Sequence, residues 1–91
     1  IEAYAHYNKK VGVLLEIKSE SDFVSGNEEF RTLAKDIAMH IAASSPSDLN
    51  ELLGQAYIKN PTFTIKELLN QAVQKFGEKI EVSRFVRYNL S

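Results

Sequence analysis

The sequence predicts an α+β fold in the order ββααβ, with a three-stranded antiparallel sheet packed against two main helices. Three observations support it. Apolar residues alternate in the second and the last candidate strand, two longer segments carry apolar residues at helical spacing, and polar residues that favour turns separate these segments. Residues 2–7 and 11–18 are therefore predicted to pair as an antiparallel hairpin across the polar turn at 8–10.

The first long helix is predicted over residues 27–44. Asn27 is a suitable N-cap, and two glutamates follow it in the first turn, where the helix dipole favours negative charge. Apolar residues then recur every three or four positions, which predicts one buried face. We expect the helix to end at Ser44–Ser45, because the next residue is a proline and backbone before proline disfavours the helical conformation.

The second long helix is predicted over residues 64–76. Thr64 and Glu67 have the spacing of a capping box, and Gly77 follows the last turn as the expected left-handed residue. This helix also has one apolar face. The core positions expected on the two long helices are Leu33, Ile37, Leu68 and Leu69.

The stretch between the two long helices is less regular. Ser47 is predicted to cap a short helical turn over residues 48–53, which Gly54 ends. The last strand is predicted over residues 79–90, and a β-bulge near Ser83–Arg84 would explain why its alternation is interrupted. The residues of one parity in this strand are Ile80, Val82, Val86, Tyr88 and Leu90.

The composition fits one globular domain covering residues 1–91, with 44% apolar and 25% charged residues. The net charge of −1 gives no basic footprint for nucleic acid or an anionic membrane, and we expect neither as a partner. The absence of cysteine excludes disulfides and thiol nucleophiles within this chain. No apolar run approaches the ~20 residues that span a bilayer. Because the chain opens on Ile1 in strand-like sequence, we expect a domain excised from a longer protein.

Residues that could support catalysis or hold a metal are sparse. His6 and His40 are the only histidines. Asp36 and His40 are four positions apart on a predicted helix, which predicts a surface hydrogen bond and not a metal site, because zinc takes three or four protein ligands. No nucleophile elbow and no glycine-rich phosphate loop is present. We therefore expect no enzyme activity, no catalytic residue, no metal and no cofactor.

Charged and aromatic residues alternate near the end of the chain, at Arg84, Phe85, Arg87 and Tyr88. Sheets that bind single-stranded RNA combine these residue types. The simpler alternative is that an aromatic ring packs in the core while the arginines are solvated. The acidic net charge favours this alternative.

The connection from the second strand to the first long helix carries an aromatic residue, Phe23, between polar residues. One interpretation is that Phe23 closes the end of the core. The other is that it is an exposed anchor for a partner, because aromatic residues dominate interface hot spots and loops on rigid scaffolds often bind. Both interpretations stay open. The polar surroundings favour exposure, because burying Phe23 would draw Ser21, Asp22 and Ser25 toward apolar surroundings.

Two long stretches closely resemble the core of bacterial and organellar elongation factor Ts, from Val11 to Pro46 and from Ala56 to Leu90. The matching motifs are Tyr4–Ala5–His6, Ser21–Asp22–Phe23–Val24 and Ile37–Ala38–Met39–His40. The family's isoleucine–glycine–glutamate–asparagine turn after the second long helix is matched only in part, since this chain has Phe76–Gly77–Glu78–Lys79. The family usually has threonine where this chain has Ser21. The family's small N-terminal helical domain has no counterpart here, nor does its long helical hairpin, which would lie between Pro46 and Tyr57.

The resemblance implies a translation elongation factor that acts as a guanine-nucleotide exchange factor. Its partner would be elongation factor Tu in the GDP form, and it would promote GDP release by inserting the Asp22–Phe23 apex. Val24, His6 and Gly77 match other family positions at or near the contact surface. For Gly77 a helix C-cap is a sufficient explanation, and His6 could be a half-exposed strand residue. A bacterial cytoplasmic location is implied, or an organellar one.

The alternative function is a protein-interaction or dimerisation module without exchange activity of its own. In this interpretation a reduced core needs two protomers to offer a complete surface, so a homodimer is a second candidate assembly. Its candidate self-association surfaces are the last strand, 79–90, and the first long helix.

Overall fold

The structure has one three-stranded antiparallel sheet, as the sequence predicts, and its central strand is the second strand of the chain. The computed structural model of the chain describes residues 1–6, with His6 by its backbone, and 10–89. The strands are β1, Glu2–His6; β2, Val11–Lys18; and β3, Glu81–Asn89. The helices are α1, Asp22–Ser25; α2, Glu28–Ser44; α3, Leu49–Gly54; and α4, Ile65–Phe76. Outside the described residues lie two positions of the predicted turn, Asn8 and Lys9, and two predicted strand ends, Tyr7 and Leu90.

The predicted bulge lies in β3 at Ser83. Glu16 pairs with Arg84 and the next residue of β2, Ile17, pairs with Val82, so Ser83 has no partner position in β2. The extra residue exchanges the two faces of the strand beyond it. Ser83 Oγ bonds to the Glu16 carboxylate at 2.5 Å, and this hydrogen bond is the main reason that the pKa of Glu16 lies below its usual value.

Beyond the bulge, the residues that share a parity with Val82 lie on the other face of the sheet. Val82 is buried on the helix side, and Phe85, which is out of phase with it, also packs against the core. Val86 and Tyr88 lie on the opposite face of the sheet, where each is 46% exposed. The basic and aromatic residues of β3 are therefore divided between its two faces, and Arg87 on the helix side donates a hydrogen bond to the carbonyl of Ala42 at 3.1 Å.

The core lies between the inner face of the sheet and the helices. Of the four helix positions expected there, Ile37 and Leu69 are buried, whereas Leu33 and Leu68 are half-buried and line a groove between α2 and α4. The buried apolar residues on the inner face of the sheet are Val13, Leu15, Ile17 and Val82. Those contributed by α2 are Phe30, Ala34, Ile37, Ala38, Ile41 and Ala42.

The predicted ends of the two long helices, α2 and α4, are confirmed. Asn27 caps α2, since its side chain accepts the backbone N–H of Glu29 at 2.7 Å. The capping box of α4 is complete: Thr64 Oγ1 accepts the N–H of Glu67 at 3.2 Å, and the Glu67 carboxylate accepts the N–H of Thr64 at 2.8 Å. Gly77 ends α4 in the left-handed conformation, with φ of 71°.

The short helix α3 is capped by Asp48, so the expectation that Ser47 caps it is wrong. The Asp48 carboxylate accepts the N–H of Glu51 at 2.8 Å. Ser47 instead donates its N–H and its hydroxyl to the Glu51 carboxylate, at 3.1 and 2.9 Å. Gly54 is the last residue of α3, one position beyond the predicted helical turn.

His40 is completely buried, so the expectation of a surface hydrogen bond to Asp36 is wrong. Nδ1 of His40 accepts the N–H of Ile58 at 3.3 Å, which places the ring proton on Nε2, 2.9 Å from Oε1 of Gln55. Burial lowers the pKa of His40, partly offset by the bond to Gln55. The neutral ring therefore ties α2 to the segment between α3 and α4.

Candidate partner-binding apex

The Asp22–Phe23 pair lies in α1, a single helical turn directly after β2. Ser21 is its N-cap: Oγ accepts the N–H of Val24 at 3.3 Å, and the carbonyl accepts the N–H of Ser25 at 3.2 Å. Gly26 closes the turn by donating its N–H to the carbonyl of Asp22 at 2.9 Å. Four residues are too few for a helix that is stable on its own, so α1 depends on tertiary contacts.

Phe23 and Val24 are neighbours in α1 but differ in exposure. The Phe23 side chain is 86% exposed, and Val24 is only 4% exposed within the core. The interpretation of Phe23 as a plug of the core is therefore wrong, because Val24 fills that place. The buried Val24 side chain therefore anchors α1, and a contribution of Val24 to the partner surface stays a prediction.

A second anchor joins α1 to the turn between α4 and β3. The carboxylate of Glu78 accepts the backbone N–H of Ser21 at 3.0 Å and the Ser21 hydroxyl at 2.5 Å. In the reverse direction, the carboxylate of Glu20 accepts the N–H of Lys79 at 3.2 Å. These bonds span 57 and 59 residues of sequence and bring two separate loops to one end of the molecule.

Gly77 lies beside this apex because it precedes Glu78. Its N–H donates to the carbonyl of Val73 at 2.9 Å, which completes the C-cap of α4. A Cβ at this position would meet no atom within 4 Å, so the positive φ and not crowding favours glycine here. Gly77 is exposed, and the next residue, Glu78, bonds to Ser21 at the start of α1.

His6 lies far from the other candidate residues. Its backbone pairs with Val11, at the start of β2, whereas α1 follows the end of β2 at Lys18. Seven steps of extended chain separate the two ends, about 23 Å. Of the five candidate residues, the structure thus brings Asp22, Phe23 and Gly77 to one end of the sheet and leaves His6 at the other.

A second polar cluster lies on α2 and does not adjoin the apex. Asp36 pairs with Lys59 at 3.2 Å. Burial, and then the charge of Asp36, raise the pKa of Tyr57 to about 12, so the phenol stays protonated at physiological pH. Within residues 1–6 and 10–89, no group of three or more histidine, aspartate or glutamate side chains could hold a metal ion.

Sequence reasoning missed α1 and the role of Glu78. Ser21 followed by Asp22 is an N-cap signal, but a four-residue helix is too short to show a period. No local pattern could have indicated that Glu78 contacts Ser21. In the part of the chain that the structure describes, no helix is long and apolar enough to cross a membrane.

A family model described as elongation factor TS matches this chain at residues 1–51 and 20–91. The chain is 35% identical to elongation factor Ts of Acetivibrio thermocellus, over 97% of this chain and 62% of the relative. It is 37% identical to elongation factor Ts of Thermodesulfovibrio yellowstonii, over 99% of this chain and 67% of the relative.

The chain thus spans about three fifths of the length of several curated relatives that it matches. The match to the Acetivibrio protein runs over 133 residues, although this chain has only 91, so that relative has additional residues inside the matched region. Both family-model matches contain Ser21–Asp22–Phe23–Val24, and together they cover every element of the fold. The chain belongs to the elongation factor Ts family.

Proposed function

We propose that this domain is a guanine-nucleotide exchange factor for elongation factor Tu, is not itself an enzyme, and acts by inserting Phe23 into its partner. The observation that carries the proposal is the placement of Phe23. A large aromatic side chain is 86% exposed at the tip of α1, which is held by buried Val24 and by Glu78. Membership of the elongation factor Ts family supports elongation factor Tu as the partner.

The free energy of burying Phe23 is available for binding. The exposed side chain contributes little burial free energy in the free protein, whereas its transfer into an apolar pocket is worth about 2–3 kcal/mol. This gain is comparable to that of an interface hot spot. Asp22, beside it in the first turn of α1, is exposed and shapes the tip, so we expect Asp22 to contribute less than Phe23.

Exchange follows from linkage. If the domain binds the nucleotide-free conformation of elongation factor Tu more tightly than the GDP-bound one, GDP affinity must fall by the same factor. The domain needs no chemical group for this step, only contacts that differ between the two conformations. No cofactor is required for it.

The test is GDP release. Elongation factor Tu loaded with a fluorescent GDP analogue is mixed with this protein, and the release rate is measured. Phe23→Ala should lower the stimulated rate by about 30-fold, which corresponds to about 2 kcal/mol. Ile58→Ala is the matched control, because Ile58 is an exposed apolar residue (42%) outside the apex.

The proposal fails if the wild-type protein neither binds elongation factor Tu nor accelerates release. It also fails if Phe23→Ala and Ile58→Ala have equal effects. Removing an exposed side chain should change the free energy of unfolding by less than about 0.5 kcal/mol, so thermal melting of both variants separates a binding defect from a folding defect.

The second candidate function is self-association through the outer face of the sheet, the face opposite the helices. Leu14, Val86 and Tyr88 lie there and are 42–46% exposed. Leu14 pairs directly with Val86, so these side chains are neighbours across β2 and β3. Ala3 and Ala5 of β1 continue the same apolar face. A sheet with one uncovered apolar face favours packing against a second sheet.

This observation distinguishes between the two self-association surfaces that the sequence suggested. The outward positions of α2 include Arg31, Thr32 and Lys35, which are exposed and polar. The outer face of β3 instead carries Val86 and Tyr88, each 46% exposed. We therefore favour β3 and its neighbours over α2 as the homodimer surface.

A further inference from the structure

We propose that Glu78 is a positioning residue for Phe23, which deepens the exchange function proposed above and rests on it. The Glu78 carboxylate fixes both the backbone and the side chain of Ser21, and Ser21 caps the helical turn that presents Phe23. Glu78 would thus act through the orientation of α1 and need not touch the partner.

The hydrogen bonds form one continuous path. Glu78 accepts the hydroxyl proton of Ser21, and the same hydroxyl oxygen accepts the N–H of Val24. The carbonyl of Ser21 accepts the N–H of Ser25. A bond between an ionised carboxylate and a hydroxyl or amide is about twice as strong as one between neutral groups, so this contact is the strongest in the path.

The path matters because α1 is short. A single turn cannot hold its own orientation, and buried Val24 is one anchor about which the turn could pivot. The bonds from Glu78 to Ser21 add a second anchor at the first end of the turn. With both anchors Phe23 is already ordered before binding, which lowers the entropy cost of inserting it.

The position of Glu78 is in turn set by Gly77. The left-handed φ of 71° reverses the chain at the end of α4, and the next residue then faces the end of β2. The second tie, from the Lys79 N–H to the Glu20 carboxylate, holds the same two segments together. The Gly77 turn and the Phe23 apex are therefore one structural unit.

The test uses the full chain and four variants: Glu78→Ala, Glu78→Gln, Ser21→Thr and Glu81→Ala. Glu81→Ala is the matched control, because Glu81 is an exposed glutamate three residues away whose carboxylate pairs with Lys79 at 3.7 Å. GDP release from elongation factor Tu is measured for each variant. In the free protein, amide hydrogen exchange is measured at Val24, Ser25 and Gly26.

Glu78→Ala should speed amide exchange at these three positions about tenfold and lower the stimulated GDP release three- to tenfold. Amides within α4, such as that of Leu68, should be unchanged. Glu78→Gln keeps an oxygen that can accept the Ser21 N–H and should recover most of the activity. Ser21→Thr keeps the hydroxyl and should match the wild type, as should Glu81→Ala.

If the wild-type protein is active, two results would overturn the positioning role of Glu78 and leave the proposed function in place. One is unchanged amide exchange in α1 on replacing Glu78. The other is faster amide exchange without loss of GDP release. Inactive wild-type protein would instead overturn the proposed function and, with it, the role of Glu78. If Glu78→Ala does not fold, the comparison of Ser21→Ala with Ser21→Thr tests the same contact, and equal activities would overturn it.

Discussion

The imidazole of His40 joins α2 to the segment between α3 and α4. It lies on α2, accepts from the backbone of Ile58 and contacts the amide of Gln55, with the ring of Tyr57 at a centroid distance of 6.1 Å. A buried polar side chain is tolerated only when its groups are paired, and both ring nitrogens have partners here. His40 therefore holds the loop after α3 by hydrogen bonds, which an apolar side chain at this position could not form.

Burial predicts a pH dependence of stability that arises from His40. Its pKa in the folded protein lies below the usual value, so the unfolded chain binds more protons just below pH 6.5. Its contribution to stability is present above pH 6.5 and is lost as the pH falls from there toward the folded pKa. Denaturant unfolding at several pH values between 5 and 8 measures the effect.

The control is His40→Gln, which retains a donor and an acceptor but does not titrate. Its free energy of unfolding should depend less steeply on pH than that of the wild type between pH 5 and 6.5. His6 is present in both proteins, so the difference between their slopes reports His40 alone. Equal slopes would mean that the pKa of His40 is not lowered by folding.

At the scale of elements, α4 has a defined signal at each end. Thr64→Ala removes the side chain that accepts the Glu67 N–H, and Gly77→Ala places a Cβ on backbone with φ of 71°. Each change should lower the free energy of unfolding by about 1 kcal/mol. Thr62→Ala is the control, because Thr62 bonds only locally to Asn60 before the helix begins.

Chemical denaturation measures all three variants. A loss at Thr64 equal to that of the Thr62 control would contradict the capping role. Gly77→Ala also distinguishes the role of this glycine in ending α4 from its role in placing Glu78. If GDP release falls more than the small loss of stability can explain, the turn contributes to the partner surface through Glu78.

The elements differ in how far sequence could predict them. The long helices follow from local signals, namely caps and a repeating apolar face, and the bulge at Ser83 follows from a break in alternation within one strand. The face on which Val86 and Tyr88 lie depends on the bulge, and the pairing of β3 with β2 places that bulge at Ser83. Local patterns set the type of an element, and pairing with another strand sets its faces.

The sequence could likewise predict some features of the apex and not others. Exposure of Phe23 could be predicted, because polar residues surround it on both sides. Burial of Val24 could not, since both residues are apolar and α1 is too short to show a period. The contact between Glu78 and Ser21 joins residues 57 positions apart, and only the folded chain brings them together.

At the scale of the whole molecule, the domain has two layers, one of sheet and one of helices. Among the described residues, the helices pack on one face of the sheet, and on the other face Leu14, Val86 and Tyr88 are 42–46% exposed. α1 lies at the end of β2 and not on that face. A dimer formed face to face would therefore keep both Phe23 side chains available to partners.

Leu14 is the position that tests this dimer. It lies on the central strand, between Ala3 of β1 and Val86 of β3, so a charge there reaches the middle of the apolar face. In a two-fold arrangement, Leu14→Lys would bring two ammonium groups into one interface and leave them without partners. We expect the wild-type protein to have twice the chain mass of 10.3 kDa, and Leu14→Lys to be monomeric.

Sedimentation equilibrium at micromolar concentrations measures both masses. Thr32→Lys is the matched control, because it adds the same charge at an exposed position of α2, in the other layer. It should remain dimeric. A wild-type mass of 10.3 kDa would exclude the dimer at those concentrations, and dissociation by both lysine variants would show that the outer sheet face is not the contact. If Leu14→Lys is monomeric and still accelerates GDP release, exchange needs one apex and dimerisation is a separate property of the sheet.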